Sequence, residues 1–90
     1  MVHEPEAHRF VLVRDGQVLG FTEYRRRENE FRFTHTEIDP AIHERGLGTT
    51  LVTGALDWIR ANTGDRVSAS CPFVTAFLQR HPEYADLTER

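Results

Sequence analysis

Three groups of residues in this chain have the types and the spacing to do chemistry. They are the run His43-Glu44-Arg45-Gly46-Leu47-Gly48-Thr49-Thr50, the single thiol Cys71, and the pair His35 and Glu37. Two glycines one residue apart at a helix start, beside an arginine, let a backbone wrap a phosphate. Unpaired N–H groups and the positive end of the helix dipole meet the anion there, worth about 0.3–1 kcal/mol per charge in an exposed site. His35 has the proton affinity of a general base, and Glu37, two residues on, can orient it or act in its place. Cys71 stands just before Pro72 at a helix start, where a thiol's pKa falls toward the nucleophilic range. Each also has a structural reading: a tight turn, a small buried hydrophobe, and a hydrogen-bonded sheet histidine.

The elements that must position these groups follow from the pattern around them. Residues 1–7 are polar, contain Pro5, and are expected to be loose; residues 8–87 are expected to form one domain. Phe10 to Val13 and Val18 to Tyr24 are β-rich runs separated by Asp15-Gly16, which predicts a hairpin with a type I′ turn. Arg25 to Glu30 reads as a solvated polar turn before a third strand that ends at Asp39-Pro40. Strict alternation along that strand puts Phe31, Phe33, His35 and Glu37 on one face, and Arg32, Thr34, Thr36 and Ile38 on the other.

Leu47, Leu51, Ala55, Trp58, Ile59 and Asn62 recur at helical spacing, a stripe that must lie on the sheet, with Gly64 as the stop. Arg66 to Ser70 predicts a fourth strand, parallel to the third because a helix crosses between them. Pro72 opens a second helix in which Phe73, Val74, Phe77 and Leu78 pack inward until His81-Pro82. Trp58, Phe73 and Phe77 are read as core. The expected class is α+β: a small, mostly antiparallel sheet with a parallel last pair, one main helix and a second helix near the C-terminus.

Composition narrows the partners. A chain of 90 residues buries only about 60–65% of its unfolded surface, so a ligand site is expected to be an open cleft. The net charge of −3 argues against general binding to nucleic acid or to anionic membranes. No apolar run suggests a membrane span and the N-terminus lacks a leader pattern, so the expected compartment is the cytoplasm. All 11 cations are arginine, which supplies forked donors suited to phosphate. A single cysteine excludes a disulfide framework, and the five histidines match no metal spacing, so no metal is expected.

The glycine loop is neither of the two commonest nucleotide loops. Leu51 stands where the dinucleotide fingerprint needs its third glycine, and no Lys-Ser or Lys-Thr pair follows. Thr36-Glu37-Ile38-Asp39-Pro40 through Gly46-Leu47-Gly48, with the amphipathic helix beyond, resembles motif A of the GCN5-related N-acetyltransferases. His35-Thr36-Glu37, Cys71-Pro72-Phe73-Val74 and Arg80-His81-Pro82-Glu83-Tyr84 are further similar to a small subfamily that resembles N-acetyltransferase domain-containing protein 1. The likeness spans residues 8 to 87. One position departs from the pattern, because His43 stands where the loop motif usually has arginine or glutamine.

The resemblance implies an acetyl-CoA-dependent transfer of an acetyl group to an amine. His43, Glu44, Arg45, Gly46, Leu47, Gly48 and Thr49 would hold the pyrophosphate of the co-substrate acetyl-CoA, and the backbone at Ile38 its thioester oxygen. Cys71, His35 and Glu37 are the implied catalytic residues, with transfer either direct or through Cys71. The resemblance also implies that Tyr84 could protonate the departing CoA thiolate, the role a tyrosine takes in many larger members, although packing is the plainer purpose of its ring. The acceptor, small molecule or protein, is left open, as is a monomer or a weak homodimer. Two other readings stay open: a non-catalytic acyl-CoA sensor or adaptor, and an interaction domain in which the glycines only make a turn.

Overall fold

The structure, a computed structural model, describes residues 1–90. Five strands form one sheet in the order β1-β2-β3-β4-β5. They are β1 (Val2–Glu4), β2 (Arg9–Arg14), β3 (Gln17–Arg27), β4 (Glu30–Ile38) and β5 (Arg66–Ala69), with three helices, α1 (Leu47–Asn62), α2 (Pro72–Arg80) and α3 (Ala85–Thr88). The first three pairings are antiparallel, and β4 with β5 is parallel because α1 carries the chain back between them. The four strands expected from the sequence are β2 to β5. No helix is long and apolar enough to cross a membrane.

Local chemistry explains most boundaries. Asp15 and Gly16 both take positive φ, +52° and +77°, and close a two-residue hairpin between Arg14 and Gln17. The stripe Leu47, Leu51, Val52, Ala55, Leu56 and Ile59 of α1 is buried against Phe10, Leu12, Tyr24, Phe31 and Phe33 of the sheet. Each fully buried Leu or Ile there contributes about 1.5–3 kcal/mol. Val74 and Phe77 of α2, with Tyr84 and Leu87 after it, complete the same core.

Several expectations are corrected. Residues 1–7 hold β1, paired to β2 through Val2, His3 and Glu4, and a 3₁₀ turn over Pro5–Ala7. Helix α1 is ended by extended Thr63, whose N–H and hydroxyl both donate to the Ile59 carbonyl, and not by Gly64. The polar turn shrinks to Glu28-Asn29, because β3 runs to Arg27 and β4 starts at Glu30. Arg26 is not simply solvated: it bridges Asp65 at 2.8 Å and lies 3.9 Å over the Phe31 ring. Phe73 is exposed, and Trp58 is half-buried at the edge of the core.

The correction with most consequence lies in β4. Glu23 pairs with His35 and Tyr24 with Phe33, so Thr34 is an extra residue in β4. A bulge of one residue inverts the facing of everything beyond it. Phe31 and Phe33 point to α1; past the bulge it is Thr36 and Ile38 that do, while His35 and Glu37 turn to the exposed opposite face. Strict alternation therefore fails from Thr34 onward.

Candidate active site

The loop between β4 and α1 begins with an Asx turn. The Asp39 carboxylate accepts from the Ala41 N–H at 2.9 Å and the Asp39 carbonyl from the Ile42 N–H, while half-buried Ile42 packs on the core. Gly46 ends the loop at φ +83°, a left-handed conformation that suits glycine, and no side chain caps the helix that follows. The first helical bond runs from Thr50 N–H to the Gly46 carbonyl at 2.9 Å. The N–H groups of Leu47, Gly48 and Thr49 thus have no intrahelical acceptor, and they lie at the positive end of a 16-residue helix.

Side chains sort themselves around that end. His43, Arg45 and Thr49 are exposed, and Arg45 has no ion-pair partner in the molecule. Leu47 is buried and anchors the first turn. Glu44 turns away to meet Arg14 at 3.0 Å, and the hydrogen bond and charge of that arginine hold its carboxyl below the usual range. This ties the loop to the β2–β3 hairpin, and the Glu44 side chain is therefore a tether, not an anion ligand. A Cβ at Gly48 would come within 2.6 Å of the end of the exposed Phe73 ring.

The second part of the site is a wedge between β4 and β5. Their parallel register ends at Phe33 and Ala69. The Phe33 carbonyl accepts from both Ser70 N–H at 2.9 Å and Cys71 N–H at 3.2 Å, after which β5 turns into α2. Residues 34–38 of β4 are left without a strand on that edge. Asp39 N–H donates to Leu19 on β3, so alternation points the Thr36 and Ile38 peptides the other way, into the wedge. Backbone donors facing an open edge beside an uncapped helix start can hold a carbonyl oxygen and an anion together.

Cys71 lies at the closed end of this wedge, 4% exposed, at the N-cap of α2. Its thiol donates to the Thr36 hydroxyl at 3.6 Å, and Thr36 is joined at 2.8 Å to the hydroxyl of fully buried Thr22. Thr22 and Thr36 were not anticipated; only the bulge brings Thr36 to this face. His35 and Glu37 are not brought together with Cys71. They lie across β4 from it, His35 opposite Glu23 with its ring 5.9 Å from Phe21, and Glu37 opposite Phe21. Tyr84 is not free to release its proton: it is 6% exposed and donates to Asp57 at 2.7 Å, and burial first, then that bond, push its pKa up to about 12.

A profile of GCN5-related N-acetyl-transferases matches residues 9–87, from the start of β2 to the end of the core. The chain belongs to the GCN5-related N-acetyltransferase family. Its fold is similar to the solution NMR structure of a GCN5-like candidate N-acetyltransferase from Staphylococcus aureus. The TM-score is 0.69 at 24% identity, over 89% of this chain and 79% of that one. No curated protein matches the sequence. As a member of this family the chain has the expected α+β fold, with its parallel strand pair at one edge of an otherwise antiparallel sheet.

Proposed function

We propose that the protein is an acetyltransferase that uses acetyl-CoA to acetylate an amine on a small molecule or a protein. The observation that carries this is the junction of the uncapped start of α1 with the open edge of β4. The residues present fit the co-substrate. The N–H groups of Leu47, Gly48 and Thr49, with Arg45 and His43, suit a pyrophosphate; the Ile38 N–H suits a thioester oxygen. Bound there, acetyl-CoA supplies an acetyl group already activated as a thioester.

Everything else falls to side chains of this chain. The Ile38 N–H is preorganised to donate to the oxygen on which charge develops during acyl transfer. Glu37, or His35 beside it, takes the proton from the incoming amine on the exposed face of β4. Cys71, in the wedge, either borders the thioester, the CoA thiolate then leaving and taking a proton from water, or accepts the acetyl group on its sulfur with its proton going to the departing thiolate, after which the amine takes the acetyl group and the Cys71 thiol is restored. The protein works in the cytoplasm without a metal, as a monomer or a weak homodimer.

A non-catalytic acyl-CoA sensor is the second reading, and one observation favours it. The Cys71 thiol bonds to no side chain but Thr36, so no general base touches it. Calorimetric titration with acetyl-CoA, CoA release with a panel of amines, and intact mass of wild type and Cys71→Ala distinguish these cases. Micromolar binding with amine-dependent CoA release is expected. Binding without release establishes the sensor; no binding at millimolar acetyl-CoA removes both readings. An acetyl adduct absent from Cys71, with full turnover in Cys71→Ala, rules out the covalent route.

A further inference from the structure

The arginines divide into paired and unpaired. Arg9, Arg14, Arg26, Arg60 and Arg66 bridge carboxylates, and Arg90 donates to the carbonyls of Thr63 and Asp65. The guanidinium groups of Arg25, Arg27, Arg32, Arg45 and Arg80 make no hydrogen bond or ion pair. The first three belong to the turn end of the β3–β4 hairpin, and Arg32 is six residues, about 20 Å of strand, from Ile38. Only Arg45 and Arg80 remain near the start of α1.

Arg80 reaches that start across a groove between α1 and α2. Thr49, Phe73, Ala76, Phe77, Arg80 and His81 line about 100 Å³ there. One end of it is held in place: the His81 ring stacks on Phe77 at 4.1 Å and its Nδ1 lies 3.2 Å from the Glu83 carboxylate. Phe73 is 43% exposed, with the end of its ring against Gly48 and the rest open to solvent. An aromatic ring left in water and a forked cation without a partner share one groove beside the phosphate loop. A cation in the last turn of α2 also complements that helix's dipole, but the dipole asks for no groove and no ring.

We infer that this groove reads the adenosine end of CoA: Arg80 holds the 3′-phosphate and Phe73 carries the adenine. The inference rests on the acetyl-CoA reading above. CoA bears a phosphomonoester on its ribose, separate from the pyrophosphate, so the N–H groups of Leu47 to Thr49 cannot serve both. A planar guanidinium matches phosphate geometry, and an aromatic face takes any base by stacking.

Calorimetry on the full chain with CoA, dephospho-CoA and 4′-phosphopantetheine tests this. Wild type should bind CoA about three- to tenfold more tightly than dephospho-CoA. Arg80→Gln should bind both at the dephospho-CoA level. Phe73→Ala should weaken both nucleotides by about fivefold, keep their ratio, and leave 4′-phosphopantetheine unaffected. Both side chains are exposed, so the variants keep the core intact. An unchanged CoA preference in Arg80→Gln, or none in wild type, overturns this inference alone. Wild type that binds none of the three ligands overturns it together with the functional reading.

Discussion

At the scale of single residues, the wedge depends on groups that carry no charge. Thr22 and Thr36 form a non-hydrogen-bonded pair of the β3–β4 ladder, in which facing side chains approach most closely, and their hydroxyls meet at 2.8 Å. Thr36→Val would leave the Thr22 hydroxyl buried and unpaired, at a cost of about 1–3 kcal/mol. Replacing both by valine removes the orphan, so the double variant should recover most of that loss in a denaturant titration. Additive losses would show that the hydroxyl pair is not a unit. The glycines respond differently. A Cβ at Gly20 meets the Glu37 carbonyl at 2.6 Å, which is backbone and cannot step aside, and Gly20→Ala should cost about 1–3 kcal/mol. A Cβ at Gly48 meets only the Phe73 ring, which is exposed and can swing away, so Gly48→Ala should cost well under 1 kcal/mol by the same measurement.

At the scale of elements, most of the scaffold could be read from the chain, because its signals are local. The Asp15-Gly16 turn, the stripe from Leu47 to Ile59 and the Pro72 start each depend on neighbours within a few residues. The Thr34 bulge has a weaker signal: Ile38 falls out of phase with Phe31 and Phe33, but only the partner strand shows which residue between them is unpaired. For that reason strict alternation puts His35 and Glu37 on the face of Phe31 and Phe33 and Thr36 on the other, and the bulge exchanges them. β1 carries little signal of its own, being three residues beside Pro5; its pairing with β2 is reinforced by the His3 ring against Phe10 and Trp58. Helical spacing reads Phe73 as core, because spacing cannot tell a buried position from one left open beside the loop between β4 and α1. Deleting Thr34 would remove the bulge and leave Thr36 opposite Thr22 and Ile38 opposite Gly20, both still on the face of Phe31 and Phe33. The variant should therefore keep its acetyl-CoA affinity within about threefold; a loss of about tenfold or more, with far-UV circular dichroism still reporting helix, would show that the local bend of the bulge itself shapes the site.

At the scale of the whole molecule, one aromatic cluster joins the first strand to the main helix. The His3 ring stacks on Phe10 at 4.3 Å, lies 4.2 Å from Trp58, and shares a 2.6 Å hydrogen bond with the Tyr24 hydroxyl. Burial, and then the Arg26 charge, lower the pKa of His3 below its usual 6.5. As pH falls below 6.5 the unfolded chain takes up this proton before the folded one, so stability must fall. Glu30, Glu44 and Glu83 have lowered pKa values and lose their contributions only below about 4.5, which leaves the interval above that mainly to His3. Tm should drop between pH 6.5 and 5, and His3→Gln should flatten that slope. Tyr84 acts at the alkaline end, where its proton is retained in the folded state up to about pH 12, so stability should decline above pH 10. An unchanged acid slope in His3→Gln would show that this cluster does not sense the proton.

The Phe33 carbonyl, with its two donors, also makes a dynamic prediction. It is a pivot, and a strand held at a pivot moves more with distance from it. Amide hydrogen exchange should therefore be slow at Ser70 and Cys71, whose N–H groups are committed to that carbonyl, and fast at Thr36 and Ile38, whose N–H groups face the opening. Acetyl-CoA should slow the second pair and leave the first unchanged, so that occupancy of the wedge is recorded as the loss of an exchange gradient along β4.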